Sequence, residues 1–377
     1  MKEKNHFREI TNIGVSDVAG TAISAFFWFY MASVMDPKQY GEIFFYIGIG
    51  TIAASAVLIG TQNSVIVYLG KKIPLQSTLY VFSLAGAIIA SIVLIFIFYR
   101  IDIILVFVGF VIHTLAIGNL IGRKKFSHYL KYNLLQKILL LSLGIIFYHI
   151  FGVEGILYAL AFSYSFFIIQ VLKGISIEPI NFSLFKNHVG FITNNYAFTI
   201  IQISKTQIDK LIIPGILGFT ILGNYALALQ IVSVILILPN IIFKFILPYD
   251  ASGQTNKKLK FLTILISIFL SITGIVLSPI LVPIIFPDYS DSIIAIQIMS
   301  ATAVPSSIML IFTSKFLGME KSRYVLISKL ISTIIIIIGM VVLGQAFGII
   351  GIAISFLVAN SADAIFLSLS NKFMKQE

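Results

Sequence analysis

Three charged residues lie together in an otherwise apolar stretch, ISKTQIDKLII, which runs from Ile203 to Ile213. Lys205 and Asp209 are four residues apart, so on a continuous helix they share a face and can form an ion pair. Lys210 is rotated by about 100° from Asp209, and its long stem can carry the ammonium towards an interface. Because ammonium groups bind phosphate as point charges, this segment is a candidate site for an anionic ligand.

The free-energy balance limits where these three charges can lie. Each charge at the centre of a bilayer costs about 2.5–3.5 kcal/mol, so three cost about 8–10 kcal/mol. The eight Ile and Leu residues between positions 191 and 213 return only about 4 kcal/mol at about 0.5 kcal/mol each. Lys205 and Asp209 therefore either form an ion pair within the packed protein or line a hydrated cleft, and we favour the cleft.

Other polar side chains inside apolar runs have two readings each. Asp17 is either a capped carboxylate near the inner interface or a cleft residue at the matching opening of the first half. Lys244 and Lys315 are either snorkelling to the cytoplasm or binding substrate. His113 fits a helix–helix hydrogen bond better than a proton relay. The predicted substrate-binding residues are Lys205, Asp209, Lys210, Asp17, Lys244 and Lys315.

The composition indicates that these residues belong to an integral membrane protein. Of 377 residues, 58% are hydrophobic and 11% are charged, with a mean hydropathy of +1.02. The net charge of +11 comes from short basic clusters between apolar runs, which indicates membrane topology and not nucleic-acid binding. The chain has no Cys, and its five His residues have no metal-ligand spacing, so we expect neither a metal nor another cofactor.

The apolar runs predict an all-α protein with about twelve transmembrane helices. A span needs roughly 20 mostly apolar residues. The first run follows basic residues but is too long for a signal peptide, so it is read as a retained span. Pro239 and Pro305 fall within spans and predict kinks. The predicted spans are 11–35, 41–69, 76–99, 103–121, 132–151, 154–172, 188–213, 219–247, 260–285, 291–317, 323–346 and 348–370.

The basic residues predict the orientation. One side of the predicted membrane has only Lys38 and Arg100. Because Lys and Arg are concentrated in cytoplasmic loops, both termini are predicted in the cytoplasm. The other side collects Lys2, Lys4, Arg8, Lys71, Lys72, Arg123, Lys124, Lys125, Lys131, Lys173, Lys186, Lys257, Lys258, Lys260, Lys321, Arg323, Lys372 and Lys375.

The two halves of the chain resemble each other. Residues 122–164 align without a gap to residues 318–360, and FGVEGI at 151–156 meets FGIIGI at 347–352. The Tyr40-Gly41 pair similarly resembles Tyr225-Ala226. An even number of spans in each half predicts two six-helix bundles, residues 1–180 and 181–377, related by a pseudo-twofold axis along the membrane normal with a substrate cleft between them.

Three motifs carry a resemblance to a known family: DPKQYG after the first span, QIDKLII in the seventh and LGNYALALQI in the eighth. The chain resembles the polysaccharide biosynthesis flippases, which are the O-antigen and lipid-linked oligosaccharide translocases of the multidrug/oligosaccharidyl-lipid/polysaccharide exporter (MOP) superfamily. The matching residues are Asp209, Lys210, Leu222, Gly223, Tyr225, Ala226 and Ala228. The resemblance covers the whole chain, although this chain is shorter than is usual in the family.

The resemblance implies translocation of an undecaprenyl-diphosphate-linked repeat unit from the cytoplasmic to the periplasmic leaflet by alternating access. It implies membrane lipids, a coupling ion (H⁺ or Na⁺) and polysaccharide polymerase machinery as partners. Lys205 and Lys210 would meet the diphosphate, and Asp209 would orient one of them.

Three other functions compete with the flippase. A membrane enzyme of the same pathway would need a sizeable loop with acid/base residues, and no external loop exceeds about ten residues. A cation-coupled multidrug antiporter of the same superfamily would need a carboxylate-rich cleft. The candidate charges here are mostly cationic, which favours an anionic ligand. A scaffold without transport activity is the third alternative.

Overall fold

The computed structural model describes residues 2–251, 256–319 and 321–373, in which all regular structure is helical. Two 3₁₀ turns, Ser165–Phe167 and Pro287–Tyr289, accompany the α-helices. The α-helices are, in chain order, α1 Lys2–Val34, α2 Pro37–Leu58, α3 Thr61–Gly70, α4 Gln76–Phe98, α5 Ile101–Gly122, α6 Phe126–Phe151, α7 Val153–Ser163, α8 Ile168–Ile175, α9 Phe182–Asn187, α10 Val189–Gln207, α11 Asp209–Leu217, α12 Phe219–Ile235, α13 Ile237–Ala251, α14 Lys257–Ile285, α15 Ser292–Ser300, α16 Ala303–Gly318 and α17 Ser322–Phe373.

Nine helical segments of the described chain are long and apolar enough to span a membrane, and the bent pair α12–α13 makes ten. One of the nine, α17, has 52 residues. At 1.5 Å per residue it is about 78 Å long, more than twice the roughly 30 Å of the hydrocarbon core. It breaks at Gly348, which has non-helical backbone angles. The break lies at the predicted boundary between spans 323–346 and 348–370, so α17 supplies both.

Several predicted spans are interrupted helices. The span at 41–69 is α2 followed by α3, with a turn at Ile59 and Gly60, where φ is positive. The span at 219–247 bends by 44° between α12 and α13. Pro239 lies in the first turn of α13, where its missing N–H leaves no helical bond unmade. Pro305 lies in the same position of α16.

The chain folds into two compact units. Unit 1 contains the chain up to Phe27 and Phe45–Gln207, and unit 2 contains Trp28–Phe44 and the chain from Ile208 onward. The segment after residue 180 packs within unit 1: the Asn181 backbone N–H donates to Thr78 Oγ1 at 2.9 Å, and Gly60 touches the backbone of Tyr196. The expected bundles, 1–180 and 181–377, remain a prediction, whereas the compact units divide at 207/208.

The aligned repeats share backbone geometry. Gly152 has φ 66° and ψ −150°, and Gly348, 196 positions later, has φ 59° and ψ −136°. Three residues after each, Gly155 and Gly351 lie so close to the carbonyl oxygens of Phe147 and Leu343 that a Cβ atom would overlap them. The F-G-x-x-G-I match is therefore explained by one conformational requirement met twice.

Arg100, which lies between α4 and α5, contacts three helices of unit 1, namely α2, α5 and α7. Its Nη2 and Nε bond both carboxylate oxygens of Asp102 at 2.7 and 3.1 Å, and Nη2 lies 3.3 Å from Glu154. The guanidinium also lies 4.7 Å from the ring centroid of Tyr46. The hydrogen bonds to Asp102 raise the pKa of Arg100 above its ordinary value. Arg100, which the sequence places on the sparsely basic side, thus has a structural role.

Candidate functional site

Unit 1 contains a polar cavity between α1 and α6. Its volume is about 280 Å³. The lining positions follow an i, i+3, i+4, i+7 pattern on α1 and lie four residues apart on α6, so each helix presents one polar face to the cavity. The lining residues are Asp17, Gly20, Thr21 and Ser24 of α1 and Tyr129, Asn133 and Lys137 of α6.

Hydrogen bonds connect the two helices at this cavity. The Tyr129 hydroxyl donates to Asp17 Oδ1 at 2.8 Å, and Asn133 Nδ2 donates to Ser16 Oγ at 2.9 Å. A Cβ atom at Gly20 would lie 3.3 Å from Asn133 Nδ2, so glycine lets the helices approach here. Asp17, predicted from the sequence as a site residue, is therefore a hydrogen-bonded carboxylate that also lines a cavity.

Lys137 is the cation of this cavity, and the sequence analysis did not identify it. Its side chain is half-buried and makes no hydrogen bond or ion pair within the described ranges. The buried hydroxyl of Ser24 also has no hydrogen-bond partner there. A polar residue within a membrane helix usually marks a functional site. An ammonium beside amide and hydroxyl groups can bind an anionic oxygen, while Asp17 offers an acceptor to hydroxyl groups.

His113 is enclosed by aromatic rings near this region. Its ring centroid lies 5.0 Å from the centroids of Tyr164 and of Phe167. Its Nε2 is buried and has no hydrogen-bond partner in the part of the chain that the structure describes. The expected helix–helix hydrogen bond through Nε2 is therefore not formed with these residues.

In unit 2, the residues of the sequence motif meet in a buried cluster. The exposed fractions of Asp209 and Lys210 are 5% and 8%, and Tyr225 is fully buried. Lys210 Nζ lies 3.7 Å from Asp209 Oδ1, which also accepts the Lys210 backbone N–H at 2.8 Å. Tyr225 interacts electrostatically with Asp209. Asp209 begins α11, where a carboxylate is stabilised by the helix dipole.

The helix that carries Lys205 ends before Asp209. Lys205 is a half-buried residue in the last turn of α10, which ends at Gln207, and α11 begins at Asp209. The break at Ile208 also separates the two compact units. Ile208, which links the two helices, itself has α-helical torsion angles, φ −64° and ψ −30°, so the expected i, i+4 pairing of Lys205 with Asp209 remains a prediction. The roles of Lys205, Asp209 and Lys210 in substrate binding remain predictions.

The two remaining predicted lysines have different outcomes. Lys315 Nζ donates to Asn371 Oδ1, which joins α16 to the end of α17. Lys244 belongs to α13, and its side chain lies outside the described part of the structure. Both remain predictions as substrate-binding residues.

Unit 2 contains two buried ion pairs that the sequence analysis did not identify. Lys329 Nζ lies 2.7 Å from Asp363 Oδ2, whose residue is fully buried. Lys260 Nζ contacts both oxygens of Asp250 at 2.7 and 2.8 Å, and Ser314 Oγ donates to the same carboxylate at 2.7 Å. Lys329 and Asp363 lie inside predicted spans, and that position was the available signal, because a charge there requires a partner within the protein.

Comparisons with known proteins show likeness in structure. No family model matches the chain, and no curated protein matches it. The lipid II flippase MurJ in an inward closed conformation superposes with a TM-score of 0.77 at 13% identity, covering 95% of this chain and 87% of that one. A multidrug resistance MATE family transporter of the MOP superfamily, inward-facing, gives 0.73 at 14% identity over 97% and 98%.

A third similar structure is a MOP superfamily transporter from Pyrococcus furiosus, with a TM-score of 0.64 at 14% identity over 97% of this chain and 95% of that one. Its binding pocket is described as reversed in polarity, which suggests a different function for that protein. Identities this low establish architecture only. The chain has the fold of the MOP superfamily transporters.

Proposed function

We propose that this chain is a flippase that translocates an undecaprenyl-diphosphate-linked oligosaccharide repeat unit across the membrane. The direction is from the cytoplasmic to the periplasmic or outer leaflet, by alternating access, for O-antigen or another surface polysaccharide. The protein would be a multi-pass protein of the bacterial inner membrane with both termini in the cytoplasm, working with the polysaccharide polymerase machinery. It would be a transporter and not an enzyme.

The observation that carries this proposal is Lys137. An ammonium within a membrane helix, in a polar cavity and without an ion pair in the described residues, supports an anionic ligand. Asn133, Thr21 and Ser24 add amide and hydroxyl groups of the kind that bind sugar hydroxyls. A diphosphate joined to a sugar has anionic oxygens for the ammonium and hydroxyl groups for the amide and hydroxyl side chains.

An apolar recess in unit 2 supports a lipid substrate. It has a volume of about 480 Å³ and only two hydroxyl side chains, Thr273 and Ser278, among its lining residues. Phe29, Leu270 and Leu281 are among the apolar ones. A hydrocarbon chain fits such a lining because no charged group has to be desolvated. The likeness to the lipid II flippase agrees with a lipid-linked substrate.

A cation-coupled multidrug antiporter is the second candidate. Asp17 favours it, because a carboxylate in a membrane cavity can bind a proton, Na⁺ or a cationic drug. The likeness to the MATE family transporter agrees with this alternative. The sign of the transported molecule separates the two functions.

The test uses the full chain in proteoliposomes with two probes: an undecaprenyl-diphosphate-linked oligosaccharide carrying a fluorophore, and a cationic dye. Flipping is measured as accessibility of the fluorophore to a membrane-impermeant quencher, with and without pH and Na⁺ gradients. We expect lipid flipping, a loss of at least about tenfold in Lys137→Met, and retention in Lys137→Arg. Dye transport without lipid flipping would establish the antiporter instead. If Lys137→Met flips the lipid as fast as wild type, Lys137 does not belong to the site.

A further inference from the structure

Helices α3 and α5 end in the same unusual way. Lys72 and Lys124 have φ values of 57° and 56°, the left-handed region that glycine usually supplies after a helix. The Lys72 and Lys124 backbone N–H groups bond the carbonyls of Leu69 and Ile121 at 3.2 and 2.9 Å. The N–H groups of the residues that follow, Ile73 and Lys125, bond the carbonyls five residues earlier. Both ends are Schellman caps with lysine in the glycine position.

The two caps lie side by side. Gly122, the last residue of α5, packs against α3: a Cβ there would lie 2.9 Å from Leu69 Cδ1 and 3.1 Å from Ile66 Cα. The turns that carry the lysines follow directly after Gly70, the end of α3, and Gly122, the end of α5. They bring together five cations, namely Lys71, Lys72, Arg123, Lys124 and Lys125, which we term the basic cap cluster.

The basic cap cluster has little compensating charge. Its four lysines are exposed, and their side chains make no hydrogen bond or ion pair with the described part of the chain. Arg123 donates to the amide oxygens of Asn119 and Gln76 at 2.7 and 2.9 Å, so neutral partners hold it. The nearby Glu178 carboxylate accepts the Gln76 backbone N–H at 3.1 Å and caps the start of α4.

Exposed apolar residues adjoin the cluster. The segment that carries Glu178 leaves 50% of Ile177 and 59% of Phe182 exposed. It is joined to α4 by the bond from the Glu178 backbone N–H to Ser77 Oγ. Basic side chains next to exposed aliphatic and aromatic ones are typical of a surface at the headgroup level of a membrane.

We propose that the basic cap cluster binds the phosphate of anionic phospholipid headgroups. A topology signal needs lysine only somewhere in the loop, whereas here two lysines occupy positions where glycine is easier to accommodate. The two caps fix the backbone of both turns, and the packing of Gly122 on α3 keeps these turns next to each other. This site is independent of the proposed cargo, because it concerns the membrane in which the protein works.

The test replaces both lysines with glycine, Lys72→Gly with Lys124→Gly, which removes two charges and keeps the caps. The purified full chain in detergent is titrated with detergent-solubilised phosphatidylglycerol or phosphatidylcholine, and binding is measured at low and high NaCl. We expect wild type to prefer phosphatidylglycerol, and the variant to lose roughly 30-fold of that preference, since each lysine near the surface adds about a factor of five. Its thermal stability should equal or exceed that of wild type.

A matched control removes two exposed lysines elsewhere, Lys257→Gln with Lys258→Gln at the start of α14. If this control loses as much preference as the glycine variant, the effect is net charge and the proposal is wrong. An unchanged preference in the glycine variant would overturn it as well. Inorganic phosphate at millimolar concentration should compete weakly, and full competition by it would assign the cluster to free phosphate instead of a lipid.

Discussion

Gly41 and Gly223 pack reciprocally where α2 crosses α12 in unit 2. Gly41 touches the carbonyl oxygen of Phe219, and Gly223 touches the carbonyl oxygen of Pro37. Each glycine thus faces the residue four positions before the other, and a Cβ atom on either would overlap backbone. The sequence matched Tyr40-Gly41 with Tyr225-Ala226, whereas this crossing relates Gly41 to Gly223.

Alanine at either crossing glycine is expected to destabilise unit 2. Backbone cannot yield as a side chain does, so Gly41→Ala and Gly223→Ala should each cost about 1–3 kcal/mol or more. Thermal unfolding in detergent measures the effect. Gly215→Ala is the control in the same unit, because no atom lies within 4 Å of its added Cβ. If both variants melt at the same temperature as the control, α2 and α12 can move apart here with no loss of stability.

A second prediction concerns the stability lost when Gly152 or Gly348, at the two repeated helix breaks, is replaced with alanine. Both have space for a Cβ atom, so alanine would suffer only from the backbone conformation, at about 1–3 kcal/mol. The two variants should lose similar stability in the same unfolding assay. Gly190→Ala in α10, a helical glycine with open space, should instead gain up to about 1 kcal/mol. A large loss at one break and none at the other would mean that the repeats no longer share this requirement.

The Lys329–Asp363 pair should show strong coupling. Lys329→Met alone leaves the fully buried carboxylate without its cation, which costs about 3–5 kcal/mol. The double variant Lys329→Met with Asp363→Leu should recover most of that loss. A double-mutant cycle on unfolding free energies measures the coupling. Additive losses would indicate that water or another group satisfies Asp363.

Replacing Arg100 should lower the unfolding free energy more than replacing Glu154, its exposed acidic neighbour. Arg100→Gln removes the two hydrogen bonds to Asp102, whose residue is 3% exposed, and should cost about 1.5–3 kcal/mol. Glu154 is 68% exposed in its side chain, so Glu154→Gln should change stability by less than about 1 kcal/mol. Chemical unfolding of both variants compares them, and the opposite ranking would contradict the geometry.

Hydropathy was sufficient to predict most of the fold. Apolar runs at 76–99 and 103–121 became α4 and α5 within one or two residues, because a span length is set by the bilayer. The internal repeat predicted the break at Gly348, because both halves require glycine there. The break at Ile59–Gly60 was not predicted, since no proline marks it.

Ionic partners were harder to predict than spans. Lys329 and Asp363 are 34 residues apart, and only tertiary packing brings them together. Lys137 was missed because one lysine barely changes the average of a 26-residue apolar helix. The expected pair of Lys205 and Asp209 rests on helical periodicity through Ile208 and remains a prediction. Local spacing cannot reveal which charges tertiary structure compensates.

The paired torsion angles at Gly152 and Gly348 have a consequence for the ancestry of this chain. Aliphatic residues that face lipid can be substituted for one another during evolution, since each presents a hydrocarbon surface to the acyl chains. A position whose backbone torsion angles favour glycine strongly does not tolerate substitution in that way. The two repeats of this chain accordingly differ at most of their positions, while the glycine and its bend are present in both.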